Sequence, residues 1–237
     1  MGFQPRLNMA KRISAASLQK RIALLEERLN HYGIDKHDLS FINNPNLALQ
    51  QVTSCQAAQR MMALLGVSLT AYNFDESDRV MEWLKKEELW RETSTVEKEF
   101  FRSPDPTEEY KAGLSWRFEA AYEFAWILDA VSVSAEPTRE CNEKHANDFF
   151  NHVPSVGSPA QDYCLDAHFR SMEEITDEYA FYENIHAYID DMFVNRKENT
   201  SGIHARACYQ RLAALRWVVG YKGKTDWDEM MVDDEEE

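Results

Sequence analysis

Residues 114–131, LSWRFEAAYEFAWILDAV, decide how the chain is read. Wound as a helix, this stretch puts apolar side chains on nearly every face, among them Trp116, Phe118, Tyr122, Phe124, Trp126, Ile127 and Leu128. A helix lying on a surface needs only one apolar stripe, so one that is apolar all round must be enclosed by others. No strand-like alternation occurs here or elsewhere in the chain. These patterns predict an all-α fold: one compact multi-helix domain with a buried central helix and a C-terminal acidic segment.

Amphipathic helices are predicted on either side. Upstream, Leu18, Ile22, Leu25 and Leu29 recur at helical spacing behind the candidate cap Ser14, and Gly33 supplies a stop. Residues 34–50, with Asn43-Asn44-Pro45, read as a loop. A second helix over about 53–72 shows the stripe Met62, Leu65, Leu69, Tyr72, and Asp75 is placed to cap a third through Val80, Trp83 and Leu84. Ser94 and Glu97 form a capping box that opens a short helix to about Arg102.

Downstream, residues 132–160 hold Pro137, Pro154, Gly157 and Pro159 and read as a long connection with one short helix near His145–His152. Ser158-Pro159 looks like a cap followed by proline at the first helical position. Ser171 and Glu174 form a second capping box, opening a helix with the stripe Ile175, Tyr179, Tyr182, His186, Ile189, Phe193. A last helix over about 203–219 buries Cys208, Leu212, Leu215 and Val219 and ends at Gly220. The chain thus divides into a helix-and-loop extension (1–50), a helical body (51–234) and the end of an acidic tail (235–237).

The 237 residues include 26 basic and 41 acidic side chains, a net charge of −15. Residues 226–237 carry eight acids and no base, yet the remainder is still at −7. Such a field repels phosphate backbones and anionic lipid, so neither nucleic acid nor a membrane is expected as partner. No apolar run approaches the roughly 20 residues of a membrane span. The four cysteines, Cys55, Cys141, Cys164 and Cys208, are far apart and form no C-x-x-C pair, which suits a reducing, cytoplasmic setting.

Several polar residues could carry chemistry. Glu119 and Glu123, four apart on the apolar helix, share a face; they could hold a metal or act as acid and base, or one could reach solvent while the other pairs with an arginine. Glu183 and His186 give half of a Glu-x-x-His di-iron signature, and the other half is missing. His204 and Cys208, one turn apart, are two zinc-type ligands where four are needed. Phosphate loops, nucleophile elbows and dinucleotide fingerprints are absent, so neither cofactor nor metal is expected.

The runs Ser115-Trp116-Arg117-Phe118-Glu119-Ala120 and Trp126-Ile127-Leu128 resemble the bacterial family known as domain of unknown function 4272. The likeness continues through Phe169-Arg170-Ser171 with Glu173-Glu174-Ile175, through Arg211, Ala214, Leu215 and Trp217, and through Trp227-Asp228-Glu229 with Asp233, over roughly residues 55–234. It implies a helical domain and assigns no chemistry. Gln210, Arg216 and Val232 stand where the family pattern has an acid, an asparagine and a threonine, departures that count against carrying over an enzymatic role.

The matching residues also have a physical reading. Glu119, Arg170, Glu174, Arg211 and Asp228, with Trp116, Trp217 and Trp227 beside them, suggest charged pairs walled by aromatics. Lone buried charges cost several kcal/mol, so such groups persist only when partnered. We expect a Glu119–arginine bridge between the central and last helices, with the Trp227 segment packed across it. Two functions follow: a protein-binding module for a basic partner, in the manner of an immunity protein neutralising a toxin, or an enzyme or small-molecule binder with a polar pocket around Glu119, Arg170, His186 and Arg211. An open cleft receiving at least three of those four side chains would favour the second.

Overall fold

The structure is a computed structural model describing residues 15–35 and 52–230. In chain order its helices are α1 (Ala15–His31), α2 (Ser54–Tyr72), α3 (Ser77–Lys86), α4 (Thr95–Arg102), α5 (Glu108–Ser115), α6 (Arg117–Ile127), α7 (Glu143–His152), α8 (Gln161–Asp166), α9 (Met172–Val194) and α10 (Ala205–Val219). No strand occurs among the described residues, and the fold is all-α and compact.

α6 is central, as its all-round apolarity predicts: Ala120, Ala121, Phe124, Ala125 and Ile127 are sealed from solvent. It packs between α2 and α10, and α9 lies along α10. The predicted long helix is broken once, at Trp116, which separates α5 from α6. α2 is nearly as enclosed as α6, which its stripe of large residues did not suggest. Ala57, Ala58, Ala63, Gly66 and Ala71 make up its other faces, and small residues admit neighbours there. Tyr72, placed on the buried stripe, is exposed at the helix end.

The capping boxes form as predicted at Ser94, whose hydroxyl accepts from Glu97 N–H, and a further one forms at Thr53 with Gln56. At Ser171 the hydroxyl accepts from Glu174 N–H. Two predicted caps do not form. Asp75 sits in a 3-10 turn, and α3 starts at Ser77. Ser158 instead offers its carbonyl to Trp83 Nε1 (2.8 Å), and α8 begins only at Gln161. Gly33 and Gly220 end α1 and α10 at φ 69° and 66°, left-handed values that cost a glycine nothing.

The candidate cap Ser14, the Asn43–Pro45 loop and residues 235–237 lie outside the described residues. α1, read as part of an extension, lies along α9 and contributes Leu25, Leu29 and Ile34 to the common core. Arg21 fastens it there, with Nη2 2.7 Å from the Asp177 carboxylate and the same distance from Thr176 Oγ1. No helix of the described residues is long and apolar enough to cross a membrane.

Candidate functional site

The expected bridge exists. Arg211, in the second turn of α10, points its guanidinium at Glu119 on α6, with Nε 3.0 Å and Nη2 2.6 Å from Oε2. Arg211 is 0% exposed and Glu119 4%. The remaining donors of Arg211 reach the backbone of the connection after α6: the carbonyls of Glu136 (2.8 Å), Arg139 (2.9 Å) and Ala135 (3.3 Å). Glu119 Oε1 accepts from Cys141 N–H at 2.7 Å.

Other side chains hold the same connection from below. Tyr122 and Tyr182 hydroxyls donate to the carbonyls of Val133 (3.2 Å) and Ala135 (3.1 Å), and Arg170 Nη2 donates to Val131 (2.6 Å). The His204 N–H and the Cys208 thiol both donate to the Pro137 carbonyl (2.8 and 3.3 Å). Buried carbonyls must find donors. An irregular segment laid over a core therefore draws polar side chains beneath it, and the Glu119–Arg211 pair is the centre of that staple.

The other predicted site residues disperse. Arg170 closes the end of α6, donating to the Trp126 carbonyl (2.7 Å), pairing with Asp129 (2.8 Å) and more loosely with Glu174 (3.5 Å), its guanidinium over the Trp126 ring. Glu174 is an exposed capping group; the hydrogen bond from Ser171 holds its carboxyl below the usual range. His186 pairs with Asp190 (3.1 Å) and meets Tyr209 edge-on, away from Glu183, so the half di-iron motif diverges. Trp116 stacks on His204 at the start of α10. Trp217 meets Phe124 edge-on and donates to the Thr225 carbonyl (3.1 Å).

Trp227 departs from expectation. It does not cross the Glu119–Arg211 bridge but lies over Arg60 (4.3 Å) and Arg117 (5.7 Å), with Phe124 beside it. Asp228 alongside accepts from Val96 N–H at the start of α4 (3.1 Å). Beneath Trp227 is an ion cluster that sequence reasoning missed. Arg60 reaches both oxygens of Glu97 at 2.7 Å, Arg117 lies 3.2 Å from the same carboxylate, and Arg117 Nη1 donates to Gln210 (3.0 Å). Burial opposes the Glu97 charge, but the two arginines outweigh it and hold the carboxyl below its ordinary value. An arginine amid the apolar residues of α2 was the available signal.

Arg216, a departure from the family pattern, is bidentate with Glu183 at 2.8 and 2.9 Å and lies over the Tyr221 ring. Gln210, the other departure within the described residues, is the Arg117 acceptor. Both substituted positions are thus occupied by partnered core groups. Glu178, on α9, is held by Arg28 of α1 and by Ser134 Oγ (2.8 Å).

Glu123 is the exception among these carboxyls. It does not reach solvent, being 0% exposed, and neither oxygen accepts a well-formed hydrogen bond from the described residues. The Ser134 hydroxyl beside it is given to Glu178. Burial first, then the Glu178 charge, pushes the Glu123 carboxyl well above its ordinary value, against the pull of Arg211 and Arg28.

No group of three or more His, Cys, Asp or Glu among the described residues is arranged to hold a metal ion. His204 Nδ1 accepts from Ala207 N–H (3.3 Å), and Cys208 is spent on Pro137. An open groove of about 710 Å3 lies elsewhere, at the end of α9 between Tyr188, Met192, Phe193, Arg196 and Ala205, and none of the nine predicted site residues lines it. The profile of the family described as domain of unknown function (DUF4272) matches residues 21–230. The chain belongs to that family. The match begins inside α1, upstream of residue 55, so residues 21–31 of α1 fall within the family domain, and Leu25 and Leu29 among them fall within the core. No curated protein and no solved structure matches the chain.

Proposed function

We propose that this DUF4272 member is a cytoplasmic protein-binding module that recognises a basic protein, in the manner of an immunity protein neutralising a toxin. One observation carries the reading: Glu119 and Arg211 are engaged with each other and with a loop backbone, and Arg170 with the end of α6 and the same loop, so these conspicuous polar residues serve as scaffold. The charge left to meet other molecules is the acidic exterior. Glu27, Asp78, Glu82, Glu99, Glu108, Glu109, Glu143 and Glu173 all stand exposed. A field of net charge −15 accelerates encounter with a positive surface and opposes nucleic acid and anionic membranes. Four free thiols suit a reducing compartment. The alternative, an enzyme or small-molecule site around Glu119, Arg170, His186 and Arg211, finds little support, because His186 stands apart and the first and last of these are sealed.

The test is to co-purify the natural chain at low salt, identify what accompanies it, and reconstitute that complex from purified components. A partner of net positive charge is expected, with affinity falling steeply as salt is raised and falling further when exposed acids are reversed to lysine. A reconstituted partner that is acidic, or an affinity indifferent to salt, would sink the proposal.

A further inference from the structure

The apolar stripe of α9 outruns the body that buries it. Ile175, Tyr179 and Tyr182 are sealed and His186 is nearly so, but Ile189 is half-buried and Phe193, the last member of the same stripe, is 85% exposed. Val194 beside it is exposed as well. α10 runs antiparallel to α9, with Tyr209 bonded to Asp190 (3.1 Å) and Arg216 to Glu183 (2.8 Å). Its first residue, Ala205, already lines the groove described above, so its cover runs out over the last turns of α9. A helix face patterned for burial and left open is an interaction surface awaiting its other half.

Two hollows flank this end of the helix. The groove of about 710 Å3 lies on one side, and a second of about 420 Å3, reaching Gly33 and Asp35 past the end of α1, lies on the other. Tyr188, Met192 and Lys197 line both and form the ridge between them. The turn after α9 is tied down: Lys197 N–H donates to the Met192 carbonyl (2.9 Å), Lys197 Nζ pairs with Asp191 (2.8 Å), and Ser201 N–H donates to the Tyr188 hydroxyl (3.4 Å). The surface therefore keeps its shape without a partner, which lowers the ordering cost of binding one. A small ligand fits it poorly, because such sites enclose most of their ligand, whereas one wall of this groove is the protruding Phe193.

Charge selects the occupant. The chain carries −15, but the two hollows are lined by two cations, Arg196 and Lys197, and two acids, Asp35 and Asp191. Lys197 and Asp191 satisfy each other. Arg196 and the adjacent Glu198, both exposed, have no ion-pair partner among the described residues. A basic protein would set its cations against Arg196, and an acidic one without a matching patch would be repelled by the rest of the chain. A second copy brings Glu198 to Arg196 and Arg196 to Glu198 at once, because a two-fold contact repeats every pairing. It also brings a projecting Phe193 and a groove side by side, the knob and the hole of a self-complementary surface. We propose that the overhanging end of α9 is where two copies of this chain meet, as a two-fold dimer in which Phe193 of each copy enters the groove of the other and Arg196 faces Glu198 across the axis. This surface is separate from the acidic exterior offered to a basic partner, and the dimer stands or falls independently of that reading.

The test is sedimentation velocity on the purified full-length chain over a dilution series. The mass should rise from one chain to two with concentration. Added salt should tighten the dimer, since screening relieves the repulsion between two chains of −15 and weakens only two local pairs, the reverse of the response expected of a basic partner. Phe193→Gln should weaken the dimer by about a hundredfold, because a symmetric contact loses the side chain twice. Its melting curve should match the natural one, since Phe193 is exposed in the single chain. Arg196→Glu and Glu198→Arg should each weaken the dimer, and the two together, which exchange the charges, should restore it. A single-chain mass at every concentration, a Phe193→Gln dimer as tight as the natural one, or a doubly exchanged chain no tighter than the single variants would each overturn the proposal. So would a protein partner held through Phe193 by a chain that stays single.

Discussion

Two glutamates four residues apart on α6 meet opposite fates, and each yields a prediction. Glu119 is an anion held by Arg211, so Glu119→Gln leaves a buried guanidinium without its counter-charge and should cost about 3 kcal/mol in denaturant unfolding; an unchanged melting curve would refute the bridge. Glu123 faces Glu178 and Tyr182 of α9, Arg28 of α1, Arg211 and Cys208 of α10, and Ser134 and Cys141 of the connection. Arg28 is committed to Glu178 and Arg211 to Glu119, so the group is neutral only while Glu123 keeps a proton. The folded chain then holds a proton that the unfolded chain releases above the ordinary carboxylate value near 4.5. Stability is full below that value and declines as pH rises towards the folded pKa, by at most about 1.4 kcal/mol per pH unit. Glu123→Gln should flatten that decline, which begins as pH rises through the ordinary carboxylate value. Parallel wild-type and variant slopes in urea titrations would show that Glu123 is ionised.

Among elements, α2 and α3 approach closely at Gly66. A Cβ at Gly66 would meet Val80 Cγ1 at 3.1 Å and Leu84 Cδ2 at 3.4 Å, so α3 sits where it does because position 66 carries no side chain. Gly66→Leu should force the two helices apart and lower stability by about 1–3 kcal/mol, read as a lower denaturation midpoint. At α4, Ser94→Ala should cost about 1 kcal/mol from the lost cap, since the hydroxyl accepts the Glu97 amide. Helices were the most legible part of the sequence. Ser94 with Glu97 and the all-apolar run of α6 each state a local rule that the fold obeys, and at Ser171 the hydroxyl half of the expected capping box forms on the Glu174 amide. What escaped was partnership over long separations. Glu97 reads as a cap, and nothing near it in sequence says that Arg60 and Arg117 also converge on it. Trp227 was expected on the nearer ion pair and packs on a different one for the same reason.

At the scale of the molecule, α1 is the piece whose status changes most between sequence and structure. Its Arg28 neutralises Glu178 and stacks on Phe181, and its Leu25 and Leu29 are core residues. Removing residues 1–35 should therefore strip a buried carboxylate of its counter-charge and open the face of α9. A melting point lowered by several degrees is expected in thermal unfolding, and a truncated chain that melts with the full one would show α1 to be an ornament on the family domain. Acidic character also belongs to this scale. It was legible from composition alone, but the separation of paired interior charges from an exposed acidic exterior required the fold.

The connection after α6 is gripped by its carbonyls, and a carbonyl is the same whatever side chain follows it. Its lettering should thus be largely free where its path is not: at Ser132, Val133, Glu136, Thr138, Arg139 and Glu140, a saturation library should return most substitutions folded, with proline the common failure. A segment fastened in this way can vary its outward chemistry without loosening its anchorage, much as a frame accepts different pictures.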